Sequence, residues 1–236
     1  MRVVLLDFDG TCYQGDLPVQ AYARRVAELL DPEQATFVIG AMRAFLEGKP
    51  APAGTPVEFG TAEDGYELVR ALAQQTGVDD HDRRVAYQRS RDDLARSAFV
   101  LDAEPGLVDW LEAIKSDTTV WLATLAPLTG ISEVLDAVGL ATLIDRLHPR
   151  TPKPEGLADL ATAAVALAGD PAGVLAIGDR WAADLAPVHD IGGRTAHLDR
   201  HDRRLGTPTW RAGGFAPMLA DLHRWAADPR GVIHAG

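Results

Sequence analysis

Two aspartates two positions apart, Asp7 and Asp9, close an uninterrupted apolar run, Val3-Val4-Leu5-Leu6, and lead straight into Gly10 and Thr11. An apolar run of this length bounded by a glycine turn predicts a buried strand. Side chains alternate along an ideal strand, but Asp7 stands where the strand stops and Gly10 lets the chain curl, so both carboxylates can converge on one pocket. At the carboxyl end of a sheet, such a pocket is where open α/β folds bind ligands. Two acids held there cost stability unless a cation or a proton occupies the space between them. The pattern predicts a site of chemistry.

Three later stretches put further reactive side chains at predicted strand ends. Thr119-Val120-Trp121-Leu122-Ala123 reads as a strand that ends in Thr124, a hydroxyl donor. Threonine is common in strands, and alone this position says little. Lys153 stands between Pro152 and Pro154, a cation on a stiffened backbone just before a helical stretch. It is one of three lysines among 23 basic residues, and a solvated surface lysine is the ordinary reading of such a position. Val174-Leu175-Ala176-Ile177-Gly178-Asp179 repeats the first geometry of apolar strand, glycine and carboxylate, and Asp184 follows five residues on. Asp184 has a plain structural reading as the complement of a helix dipole. Asp179, at a strand end, has none.

The elements that must position these residues alternate. Strands are predicted at 2–7, 119–124, 143–148, 173–177 and 194–198, and helices at 106–115, 131–138, 155–168, 181–191 and 214–227. Strands alternating with helices give an α/β, Rossmann-like parallel sheet with helices on both faces. The block from 15 to 103 breaks the alternation. It carries helical patterns over 17–46, with Pro32 opening a second helix, over 63–75 and over 79–99, around a proline- and glycine-rich loop at 48–60. With no strand signal, and too long for a loop, it reads as a domain of its own. The predicted organisation is a catalytic core of residues 1–14 and 104–236 and an inserted all-helical cap domain of residues 15–103.

The 236 residues, 47% hydrophobic and 24% charged, have the balance of a globular protein able to build one large domain or a core with a smaller companion. A formal charge of −11 argues against nucleic acid or an anionic membrane as partner. It also requires that an anionic substrate meet local positive charge. Cys12 is the only cysteine, so no intramolecular disulfide can form and a reducing, cytoplasmic setting is expected. The N-terminal apolar run is too short for a signal segment or a membrane span. The expected oligomeric state is a monomer or a weak homodimer.

In this order the motifs resemble those of the haloacid dehalogenase-like hydrolases. The first motif, DxDGT, stands as Asp7-Phe8-Asp9-Gly10-Thr11, and the second, a hydrophobic strand ending in Thr or Ser, as Thr124. The third, a lysine often followed by proline, stands as Lys153-Pro154, and the fourth, GDxxxxD, as Gly178 to Asp184. The likeness covers the first strand and the chain after about residue 104, while the helical block resembles the family's C1 cap. The resemblance implies a Mg²⁺-dependent phosphohydrolase acting on a small phosphorylated metabolite. It implies Asp7 as the nucleophile that forms an aspartyl-phosphate and Asp9 as general acid and base. It assigns Thr124 and Lys153 to the phosphoryl group, and Asp7, Asp9 through its carbonyl, Asp179 and Asp184 to the metal.

The residue chemistry agrees. A phosphate monoester dianion resists anionic attack, so catalysis needs charge neutralisation and positioning. Lys153 offers a point charge, Thr124 a hydroxyl, and the aspartates hard oxygen ligands suited to Mg²⁺. Two alternatives stand beside this reading: phosphoryl transfer of the phosphoglucomutase type, which keeps both aspartates, and a non-catalytic module that keeps a metal site. Dehalogenases that resemble this fold lack an acid at the position of Asp9. The chain departs from the family pattern at Cys12, read here as a packing residue, at Leu125 and at Ala183. The cap is expected to select the substrate, with Tyr13, Gln14, Arg43 and Lys49 as its polar candidates and Arg180 as a candidate in the core.

Overall fold

The computed structural model describes residues 1–96 and 100–231. The last residues of the helix predicted at 79–99 and the last five of the predicted core lie outside the described residues. In chain order the elements are β1 (Arg2–Leu6), α1 (Leu17–Ala27), α2 (Pro32–Leu46), α3 (Glu58–Thr61), α4 (Gly65–Gln75) and α5 (Asp80–Ala95). Then follow α6 (Leu107–Ile114), β2 (Thr118–Ala123), α7 (Ile131–Ala137), β3 (Arg146–His148) and α8 (Glu155–Ala168). The chain ends with β4 (Val174–Gly178), α9 (Ala186–Asp190), β5 (Arg194–Leu198), β6 (Trp210–Ala212) and α10 (Leu219–Ala227). Two compact units result: one of Met1–Gly15, Leu101–Leu128 and Leu135–Gly236, the other of Asp16–Val100 and Thr129–Val134. Among the described residues no helix is long and apolar enough to cross a membrane.

The first unit is built on a parallel sheet in the order β3-β2-β1-β4-β5-β6. β1 lies inside it because Val3, Val4, Leu5 and Leu6, none more than 2% exposed, present apolar side chains to both faces. Val3 and Leu5 pack on one face with Trp121, Leu157, Ala161 and Val174. Leu6 registers with Leu122 of β2 and with Ile177 of β4, so the strands predicted to end at Thr124 and Ile177 flank the central strand. From β1 the chain steps outward to β2 and β3, then returns to β4 and steps the other way. The carboxyl ends of β1 and β4 therefore mark the switch point at which such sheets bind ligands.

The structure differs from expectation at three places in this unit. The strand predicted at 143–148 pairs only over Arg146–His148. The helix predicted at 181–191 is a π-type turn over Trp181–Leu185 followed by α9. Pro187, without an N–H, cannot give the α-helical bond back to Ala183. β6, a half-buried three-residue strand paired with β5, carries no periodic signal of its own. It is prepared by Thr195 and Thr209, each of whose N–H groups donates to the other's Oγ1, at 3.1 and 2.9 Å.

The second unit is helical, α1 to α5. Asp31, Asp64 and Asp79 each accept backbone N–H groups at the starts of α2, α4 and α5, which is why those helices begin where they do. Val26, Val38, Leu68 and Leu72, all fully buried, lie at its centre, each contributing about 1.5–3 kcal/mol by leaving water. Tyr22 of α1 stands edge-on to Tyr87 of α5 at 5.3 Å, and Arg25 makes a two-pronged pair with Asp93 at 2.9 and 2.8 Å. Thr129–Val134, given to the core in the sequence reading, groups with these helices. Gln88 and Arg91 of α5 donate to the Thr129 hydroxyl and carbonyl, both at 3.3 Å.

Candidate active site

Asp7 is the first residue past β1, and its N–H still donates to Ile177 O at 2.9 Å, extending the β1–β4 ladder to the sheet edge. The chain then turns, with Cys12 N–H on Phe8 O at 2.9 Å and Gly10 at φ +80°. A Cβ on Gly10 would stand 2.2 Å from Asp179 Oδ2, so glycine alone lets the loops after β1 and β4 meet. Gly178 serves in the same way, since a Cβ there would come 2.5 Å from Asp184 Cβ. The π-type turn brings Asp184 back over β4, where its Oδ2 accepts the Arg180 N–H at 3.0 Å.

Oxygens of Asp7, Asp179 and Asp184 lie within 4.8 Å of one another. Lys153 completes the cluster, its Nζ donating to Asp7 Oδ1 at 2.5 Å and to Asp184 Oδ1 at 2.6 Å from a side chain only 2% exposed. The surface reading of this lysine is overturned: α8 begins at Glu155, and the loop before it delivers the ammonium inward. Thr11 Oγ1 donates to the other Asp7 oxygen at 3.1 Å. Burial pushes the Asp7 carboxyl up from 3.8 to about 7; the Asp184 charge adds to the rise, and Lys153 works against it. Burial by itself would lower Lys153, but the Asp184 and Asp7 charges outweigh it and hold the ammonium above its ordinary range.

Thr124 is buried at the same edge, one residue past β2; its Oγ1 accepts Ala126 N–H at 3.1 Å, which leaves the hydroxyl proton as a donor. Asp9, half-buried, turns its Oδ1 to the Tyr13 hydroxyl at 2.5 Å. Tyr13 and Gln14, read as cap candidates, belong to the sheet unit. Arg180 serves the cluster through its backbone N–H. Lys49 pairs with Glu47 at 2.5 Å, whereas Arg43 lines an open cavity of about 300 Å³ in the helical unit. Cys12 is fully buried, donates to Asp7 O at 3.2 Å, and has its thiol pushed well up by burial and by Asp7, so it packs rather than reacts. Thr11 escaped the sequence reading as a site residue and Tyr13 as a partner of Asp9, although their spacing, four after Asp7 and four after Asp9, was visible.

Three carboxylates facing one ammonium leave an excess of negative charge, and hard oxygen donors this close suit a small divalent cation. The model of the haloacid dehalogenase-like hydrolases matches residues 1–192. The chain belongs to this family. No curated protein sequence matches the hydrolase. Among solved structures it is similar to the HAD-hydrolase YfnB of Bacillus subtilis bound to magnesium, with a TM-score of 0.61, 20% identity, and 94% of this chain and 98% of that one covered. It is also similar to a protein from Thermotoga maritima assigned as a β-phosphoglucomutase (0.55, 16%, 95% and 99%) and to one from Haemophilus somnus assigned as a phosphoglycolate phosphatase (0.56, 16%, 94% and 97%). At these identities the likeness concerns the fold.

Proposed function

We propose that this hydrolase is a Mg²⁺-dependent phosphatase that cleaves a small phosphate monoester through an aspartyl-phosphate on Asp7. The observation that supports it most is the second carboxylate, Asp9, on the same turn as the first. A halide leaves carbon as a stable anion, but an alkoxide leaving phosphorus needs a proton, and Asp9 is the group assigned here to give one.

An Asp7 carboxylate oxygen attacks phosphorus while the ester P–O bond breaks, and the Asp9 carboxyl gives its proton to the departing oxygen. The Asp9 carboxylate then takes a proton from water as that water attacks the same phosphorus. The bond to Asp7 breaks and inorganic phosphate leaves. Lys153 and the Thr124 hydroxyl counter charge on the phosphoryl oxygens. Asp7, Asp179, Asp184 and the Asp9 carbonyl would hold Mg²⁺, whose charge would keep Asp7 ionised and offset the phosphate dianion. The helical unit is assigned the choice of substrate as a cap. Phosphate release from p-nitrophenyl phosphate, measured with Mg²⁺ and with chelator, tests the reading; release independent of Mg²⁺ and of Asp7 would refute it.

A further inference from the structure

We propose that Tyr13 is a positioning residue for Asp9, its buried hydroxyl holding the carboxyl at the angle from which the proton reaches the leaving oxygen. This rests on the acid–base role given to Asp9 above. Tyr13 is 2% exposed and its Oη donates to Asp9 Oδ1 at 2.5 Å. The ring is wedged edge-on against the fully buried Phe8, with centroids 5.5 Å apart at 72°.

The backbone behind the ring is held as firmly. Tyr13 forms an antiparallel bridge with Ala103, flanked by Gln14 N–H on Asp102 O at 2.8 Å and Glu104 N–H on Cys12 O at 3.1 Å. Glu104 is 2% exposed; its Oε1 accepts Phe215 N–H at 2.8 Å and its Oε2 accepts Arg200 at 2.7 Å. The same guanidinium donates from Nε to Gly10 O at 2.9 Å, next to Asp9. The turn carrying Asp9 and the residue bonded to its carboxyl thus hang on one frame centred on the buried Glu104. A general acid works only within hydrogen-bond reach of the atom it protonates, so a carboxyl released to rotate loses rate without loss of the fold.

Tyr13→Phe keeps the ring and its contact with Phe8 and removes the hydroxyl alone. With Mg²⁺ present, kcat/KM on phenyl phosphate, whose leaving oxygen needs a proton, should fall about tenfold or more. On p-nitrophenyl phosphate, whose leaving group is a stable anion, it should fall less than about threefold. Asp9→Asn should show the same split in larger form, and adding Tyr13→Phe to it should cost nothing further. Tyr13→Met, flexible, apolar and without a donor, repeats the test if melting shows that the phenylalanine variant does not fold. Equal losses on the two esters, no loss on either, or additive losses in the double variant overturn the positioning role. If Asp9→Asn itself spares phenyl phosphate, the acid–base reading fails on its own account, and a wild type inert on both esters overturns the phosphatase reading.

Discussion

Lys153 and Asp184, 31 positions apart in the chain, meet at 2.6 Å with side chains only 2% and 4% exposed. The same ammonium also holds Asp7, so one cation sets the balance of charge for two buried acids. Lys153→Met removes it and leaves both carboxylates facing each other. Breaking a buried pair from one side costs about 3–5 kcal/mol, which lowers the melting temperature by roughly 10 °C in a chain of this size. Part of the loss should return at acid pH, where protons replace the ammonium. A variant that melts like the wild type at neutral pH would remove the lysine from the stability argument.

Asp7 carries the pH dependence of the site. Its folded value of about 7 lies above the unfolded value of 3.8, so the metal-free fold holds the proton more tightly than the unfolded chain. The contribution to stability is most favourable below the unfolded value and falls as pH rises through the folded one. A bound cation must displace that proton, so Mg²⁺ affinity should rise roughly tenfold between about pH 6 and pH 8, with proton release. Calorimetric titrations in buffers of different ionisation enthalpy read both quantities; an affinity flat across that range contradicts the raised carboxyl.

Gly10→Ala sets a methyl against Asp179 at a backbone angle that costs about 1–3 kcal/mol outside glycine. The fold should survive with a lower melting temperature, and Mg²⁺ affinity should fall at least about tenfold as Asp179 is pushed from the cluster. Wild-type affinity in this variant would mean that Asp179 is not a ligand.

Asp7→Asn preserves shape and removes the charge proposed to attack phosphorus. Turnover should fall by at least about a thousandfold while the melting curve stays near or above that of the wild type, since a costly buried carboxyl is gone. Retained turnover would place the nucleophile elsewhere.

The cavity in the helical unit is lined by Arg24 and Arg43 and by two carboxylates, Asp16 and Glu47, and neither guanidinium has a side-chain ion pair or hydrogen bond among the described residues. If this unit selects substrate, Arg24→Gln and Arg43→Gln should raise KM for phosphate esters bearing a second anionic group by about tenfold, and leave p-nitrophenyl phosphate nearly unchanged. Equal effects on both kinds of ester would argue that the pocket takes no part in selection.

The sequence by itself determined the strands that hold the site. β1, β2 and β4 are apolar runs closed by turn residues or polar side chains, and burial on both sheet faces demands that composition. It also determined the starts of α2, α4 and α5, since the capping aspartates act on N–H groups two or three residues away. The two glycines that let acids crowd a sheet edge were legible for the same local reason. Tertiary structure alone decided where side chains found partners. Lys153, a surface cation when its position is taken alone and a site residue only through the motif resemblance, meets its two carboxylates because α8 and the sheet enclose it, and β6 exists only because β5 offers an unpaired edge. Tyr13 reads as a polar residue for substrate contact; its bridge to Ala103, ninety residues on, fixes the backbone that aims its hydroxyl at Asp9. Periods and turns are properties of neighbours in the chain. A hydrogen bond between distant residues depends on how every intervening element packs, and no local pattern encodes it.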